Sequence, residues 1–214
     1  MNQKSDMLDE KIIKEEYERI KVSREADRDE EIRKRILEKE KNQKSVSLFF
    51  EEIANGSTEL NGVSYLTEKR SCFEERVNLA LFSEDIELLN ESEQMLSVCF
   101  KQAEFSINIF YSKDPLDQFT QKEYVKRMSE QAKQQKLQLV PVENGELVLQ
   151  QQKIYYNSVI MDTAAATLFI LNFHCVRKHD GILGNFTCQL RNRFPYENLF
   201  KATIEHFYVC KEDD

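Results

Sequence analysis

The sequence predicts an α+β protein, with a mainly antiparallel twisted sheet, a central and a C-terminal helix on one face, and a charged N-terminal helix ahead of them. Three observations predict it. The composition changes near residue 46, from a lead without Gly, Pro, Phe or Cys to a body that holds all of them. Several runs in the body alternate apolar and polar residues with the two-residue period of a half-buried strand. Only two helical stretches interrupt those runs, whereas a parallel sheet needs a crossover after nearly every strand. Residues 1–45 therefore read as a charged helical lead and residues 46–214 as an α+β globular domain.

The lead carries 13 basic and 13 acidic side chains. Its freedom from Gly and Pro favours helix. Acid-then-base pairs four apart recur, such as Glu10/Lys14, Glu15/Arg19 and Asp29/Arg33, each adding about 0.2–0.5 kcal/mol to an isolated helix. Ile13, Tyr17 and Ile20 form one apolar patch, and Ile32, Ile36 and Leu37 another. Only Val22 and Ala26 lie between, too little for a sustained heptad seam. Three readings stay open: a solvated helix whose patches touch its own body, a helix that docks on a partner protein, or disorder.

In the body, Val46 to Ala54 is a short helix stopped by Asn55-Gly56 with a left-handed cap. Asn61-Gly62 marks a tight turn into the strand VSYLT. Residues 77–82 and 86–89 suit strands, and 95–100 with 105–112 make a hairpin. Asp114-Pro115 breaks the sheet, and Thr120 to Glu123 is a capping box that opens the central helix. Beyond Gln135 the strand pattern returns. Glu143-Asn144-Gly145 reads as a turn, and the glycine-bearing segment Arg177–Gly184 as the loop between the last two strands. Pro195 suits a first helical position, with Leu199, Phe200, Ile204, Phe207 and Tyr208 on one side of the closing helix.

This order of elements carries a resemblance. Arg76-Val77-Asn78-Leu79 as an opening strand, the Asp-Pro break, the capped helix, the long meandering strands, the run Phe186–Arg191 and a closing helix over 194–207 together resemble the PsbP/Mog-type superfamily. Within it, residues 63–209 look most like the small Eag-type chaperones that escort secreted toxins. That resemblance implies a chaperone's role; the 45-residue lead departs from the pattern.

Chemistry-bearing motifs are scarce. His174 and Cys175 are adjacent on a strand, so their side chains point to opposite faces and cannot form a nucleophile–base pair. A core cysteine beside a surface histidine is the expectation. His179-Asp180 reads as loop polarity, and Glu84, Asp85 and Glu87 as a solvated turn without calcium-loop spacing. No phosphate loop, nucleophile elbow or zinc-protease motif occurs. The expectation is a non-enzyme without cofactor or metal. Five cysteines, none in a C-x-x-C pair, suit reduced thiols.

The body has 17 basic and 25 acidic residues, which argues against nucleic-acid binding. No run of apolar residues is long enough to span a membrane, and no apolar leader opens the chain, so a cytoplasmic place is expected. The strands at 153–161 and 166–176 are apolar on both faces. One face could hold a partner's apolar segment, with Tyr155, Phe169 and Phe173 as contacts beside Ile13, Tyr17, Ile20, Ile32 and Ile36 of the lead. The expected function is a protein-binding adaptor or chaperone for a secreted effector or its hydrophobic segment. The alternative is an immunity protein, whose acidic surface would steer it to a basic toxin.

Overall fold

The computed structural model describes residues 43–113, 121–134, 137–149, 152–176 and 180–209. The chain divides into two units, Met1–Gln43 and Lys44–Asp214, and the fold below belongs to the second. Ile13, Tyr17, Ile20, Ile32 and Ile36 lie outside the described residues, as do Thr120 of the capping box and His179.

Helix α1 (Val46–Ala54) starts at Ser45, whose Oγ accepts the Leu48 N–H at 3.2 Å. It ends at Asn55, followed by Gly56 at φ +85°. Strands β1 (Ser57–Leu60) and β2 (Val63–Cys72) form a hairpin around Asn61 and Gly62, both at positive φ, so that Leu60 pairs with Val63. Asn-Gly favours that two-residue turn because its twist matches the strands. Strand β3 (Val77–Phe82) adds next to β2.

The remaining long strands build a second, seven-stranded sheet. They are β4 (Ile86–Glu91), β5 (Met95–Phe100), β6 (Phe105–Ser112), β7 (Gln138–Leu149), β8 (Gln152–Asp162), β9 (Thr167–Val176) and β10 (Gly181–Gln189). Their spatial order is β4-β5-β6-β10-β9-β8-β7, antiparallel throughout. Helix α2 (Gln121–Gln134) joins β6 to β7, and a 3₁₀ turn at Leu190–Asn192 leads into α3 (Arg193–Glu205). A two-residue strand, β11 (Tyr208–Val209), then pairs with β3 and completes a four-stranded sheet, β1-β2-β3-β11. The class is α+β with antiparallel sheets.

One face of the large sheet is the core. Its register puts Leu96, Val98, Ile107, Ile109, Leu171 and Phe186 on that side, all buried. From α3, Phe200 stacks on Phe186 with centroids 4.8 Å apart and leans on Phe105 at 5.4 Å. Phe82 of the small sheet meets Phe100 and Phe105 edge-on.

Helix α2 lies on the other face. Asn157 of β8 donates from Nδ2 to Met128 Sδ at 3.7 Å. The adjacent Tyr156 points the opposite way, with Lys201 of α3 5.4 Å from its ring centroid. The expected placement of both helices on one face is thus corrected. Strands β8 and β9 are apolar on both sides, so each side needs its own cover.

Three further expectations change. Glu143-Asn144-Gly145 is no turn: it continues β7 opposite Ser158, Asn157 and Tyr156, with a bulge after Pro141. Gly145 serves the close approach of a ring, since a Cβ there would lie 2.5 Å from Tyr156 Cε1. Gly184 likewise sits inside β10 under the Phe173 ring, which shortens the loop before it. Because the 3₁₀ turn precedes α3, Pro195 is its third residue rather than its first, and Phe207 and Tyr208 lie past its end.

Candidate functional site

Of the sequence-predicted contacts among the described residues, Phe169 and Phe173 are 0% and 1% exposed. Both point into the core face, so no partner reaches them there, because α3 and the small sheet cover that side. Tyr155 is half-buried on the other face and stacks on His174 with centroids 5.2 Å apart. His174 is not a surface histidine: it is buried, and desolvation holds it below the ordinary histidine pKa. Cys175 turns to the core, as the strand period requires. No catalytic dyad forms between them.

The other candidates also resolve into structure. Asp85, at φ +72°, accepts the backbone N–H groups of Gln102 and Ala103 at 2.6 and 2.8 Å, tying two turns together. Asp180 is buried and accepts the Tyr111 hydroxyl at 3.1 Å. Burial pushes the Cys72 thiol up to about 11 and the Cys188 thiol up to about 12, which leaves both as poor nucleophiles. Among the described residues no group of three His, Cys, Asp or Glu is placed to hold a metal ion.

A polar cluster joins α3 to β7 and β8. Lys201 Nζ lies 2.6 Å from Glu143 Oε2 and 3.6 Å from Glu197 Oε1, and Arg193 Nε donates to Glu197 at 2.8 Å. Tyr156 donates its hydroxyl to Glu143 at 3.1 Å. Desolvation pushes Glu143 up, but the Lys201 ammonium and the Tyr156 hydroxyl outweigh it and hold Glu143 below the usual carboxylate value. With its charges balanced locally, this cluster clamps the helix to the sheet.

The site with unspent capacity lies on the outer face of the large sheet, the face that α2 meets through Met128 at Asn157. There the strand registers align one polar residue from every strand in a single row: Asn90, Ser97, Asn108, Asn185, Asn172, Asn157 and Asn144. Neighbours in such a row sit about 4.8 Å apart. Ser97 Oγ donates to Asn108 Oδ1 at 2.8 Å, and Asn108 Nδ2 to Asn185 Oδ1 at 3.2 Å. Asn172 Nδ2 donates to Asn157 Oδ1 at 3.0 Å. Within the stretch from Ser97 to Asn157, the side-chain relay is broken at one place, between Asn185 and Asn172.

A hollow of about 160 Å³ opens at that break, lined by Asn108, Asn172 and Asn185 with Met95, Phe110 and Leu183, and by no charged side chain. Met95 and Phe110 are directly paired across β5 and β6, and each is 42% exposed. Exposed apolar side chains therefore flank a floor of amides.

Sequence reasoning missed this row. Its signal was an asparagine in the middle of each of four otherwise apolar strands, where asparagine is a poor strand former. Seeing that the four align needs the pairing order.

No family model matches the chain, and no curated protein matches it by sequence. Among solved structures, the chain is similar to the cyanobacterial PsbP (CyanoP) of Synechocystis sp. PCC 6803, with a TM-score of 0.54 and 10% identity, over 72% of this chain and 98% of that one. A Pseudomonas aeruginosa protein of unknown function follows at a TM-score of 0.45 and 13% identity, over 69% of this chain and 99% of that one. A Bacteroides thetaiotaomicron protein gives 0.46 and 8%, over 68% of this chain and 49% of that one. The first likeness establishes a PsbP-like fold and nothing about activity.

Proposed function

We propose that this PsbP-like domain is a non-enzymatic binding protein, an adaptor or chaperone that shields an apolar segment of another protein. The Eag-type escorts of secreted effectors are the nearest functional analogy. The observation that carries this reading is the exposed Met95–Phe110 pair beside an uncharged hollow on the outer sheet face. Adaptable apolar side chains around a few polar groups suit capture of a varied apolar segment. The uncharged lining favours this over the charge-led association of an immunity protein. No described helix is long and apolar enough to cross a membrane.

Co-expression with a neighbouring-gene product that carries an apolar segment tests it. Phe110→Asp should abolish co-purification and leave the unfolding temperature of the domain within a few degrees, because that side chain is half in solvent. Undiminished co-purification of both Phe110→Asp and Met95→Asp would remove the outer face from consideration. Loss of the complex at raised salt, with both variants still binding, would favour the immunity reading instead.

A further inference from the structure

We infer that the break in the asparagine row is a recognition site for one carboxamide side chain, a glutamine or asparagine projecting from the captured apolar segment. This rests on the binding reading above and specifies its chemistry.

The argument starts from what each amide has already spent. Asn185 accepts at Oδ1 from Asn108 Nδ2 and from Thr187 Oγ1, at 3.2 and 3.3 Å. Asn172 donates from Nδ2 to Asn157 at 3.0 Å. Among the described residues, that leaves the Asn185 Nδ2 donor and the Asn172 Oδ1 acceptor without partners. The two residues are direct cross-strand neighbours, and both line the hollow. Asn172 is only 6% exposed, but its remaining acceptor is not fully enclosed and keeps contact with solvent at the hollow. A ligand that closes the hollow takes these two groups out of water, and one that fails to match them leaves a costly unpaired polar group, so a matching ligand gains specificity.

A group that completes the relay must accept from Asn185 and donate to Asn172 at once. A carboxylate cannot donate and an ammonium cannot accept, and neither finds a countercharge in this lining. A carboxamide does both with a planar pair of atoms. The volume of about 160 Å³ is below the 300–1,000 Å³ of sites for drug-sized ligands, and suits one side chain. Met95, Phe110 and Leu183 then meet apolar neighbours on the same segment.

The test uses the full chain, ¹⁵N-labelled, with three peptides: acetyl-Leu-Leu-X-Leu-Leu-amide with X as Gln, Leu or Glu. The Gln peptide should bind about tenfold more tightly than the Leu peptide, the gain of one or two matched hydrogen bonds. It should shift the side-chain amide signals of Asn172 and Asn185. Asn185→Asp keeps the acceptor that Asn108 and Thr187 use but removes the donor, and should bring the Gln and Leu affinities together. Equal binding of Gln and Leu peptides by the wild-type chain overturns the carboxamide inference and leaves the apolar-capture reading standing. Equal binding of Glu and Gln overturns it too. If no peptide perturbs β5, β6 and β10, both readings fall. The wild-type comparison decides by itself should Asn185→Asp misfold.

Discussion

Replacing Gly184 with alanine probes how tightly the core face is closed. A Cβ at that position would overlap the Phe173 ring, with Cε1 2.6 Å away, and would sit 3.0 Å from the Asn108 backbone oxygen. Neither neighbour is free to give. Phe173 is 1% exposed and is held between Phe186 and Phe207, at centroid distances of 5.7 and 5.1 Å. The Asn108 oxygen belongs to a strand paired on both sides. Overpacking of this kind costs about 1–3 kcal/mol. In a domain of this size 1 kcal/mol moves Tm by about 2–4 °C, so Gly184→Ala should lower it by roughly 2–12 °C. Thermal unfolding followed by circular dichroism reads this directly. A double-mutant cycle isolates the cause: Phe173→Leu removes the clashing ring edge, so the two substitutions together should cost less than their sum by more than about 0.5 kcal/mol. Strict additivity, or a Gly184→Ala protein as stable as wild type, would refute the assignment of that glycine to ring packing.

Other outcomes follow from the same geometry. Desolvation holds His174 and His206 below the ordinary histidine pKa of 6.5. Such groups stabilise the fold above that value and lose the contribution as pH falls through their folded pKa, so Tm should drop between pH 7 and pH 5. His174→Phe should shallow that slope, and an unchanged slope would exclude His174 as a source. Glu143, also held low, adds a loss of the same sign below about 4.5. Lys201→Ala strands Glu197, whose side chain is 8% exposed, on Arg193 alone and leaves Glu143 without its cation. The cost is about 1–3 kcal/mol after discounting the 41% exposure of Glu143, and urea unfolding would read it; no change would show that the cluster does not clamp α3. Phe169→Asp puts an unpaired charge in the core face and should abolish soluble expression, whereas normal yield would contradict the strand assignment at 167–176.

What was legible in the sequence was local. The composition break, the Asn61-Gly62 hairpin, the cap of α1 and the 95–112 hairpin are each decided by residues within a few positions of one another. The misreadings have a common cause. A glycine that lets a ring approach looks the same in sequence as a glycine that turns the chain, so the sequence alone places Gly145 in a turn and Gly184 in a loop. An apolar strand whose one face is covered by α3 looks in sequence the same as one with that face spare, and Phe169 and Phe173 lie on the covered side. The asparagine row depends on β10 inserting between β6 and β9, which joins Asn108 to Asn185 across 77 positions. No local pattern encodes that insertion.

The row also bears on how the chain avoids pairing wrongly. In a strand such as Phe-Ile-Leu-Asn-Phe-His-Cys, hydrophobicity barely distinguishes one side from the other, so a slip by one residue would exchange Phe169 and Leu171 for Leu168 and Ile170 at little cost. The asparagine breaks that near-degeneracy. A one-residue slip of β9 would drive Asn172 into the aromatic core beneath α3, and a two-residue slip would set it between Thr187 and Val159 or between Leu183 and Tyr155, away from the amides of Asn157 and Asn185. Repeated in β6, β8 and β10, the same residue type gives each strand one position where only a single alignment satisfies its neighbours. The amides that open the hollow would then also be the marks by which the strands find their register.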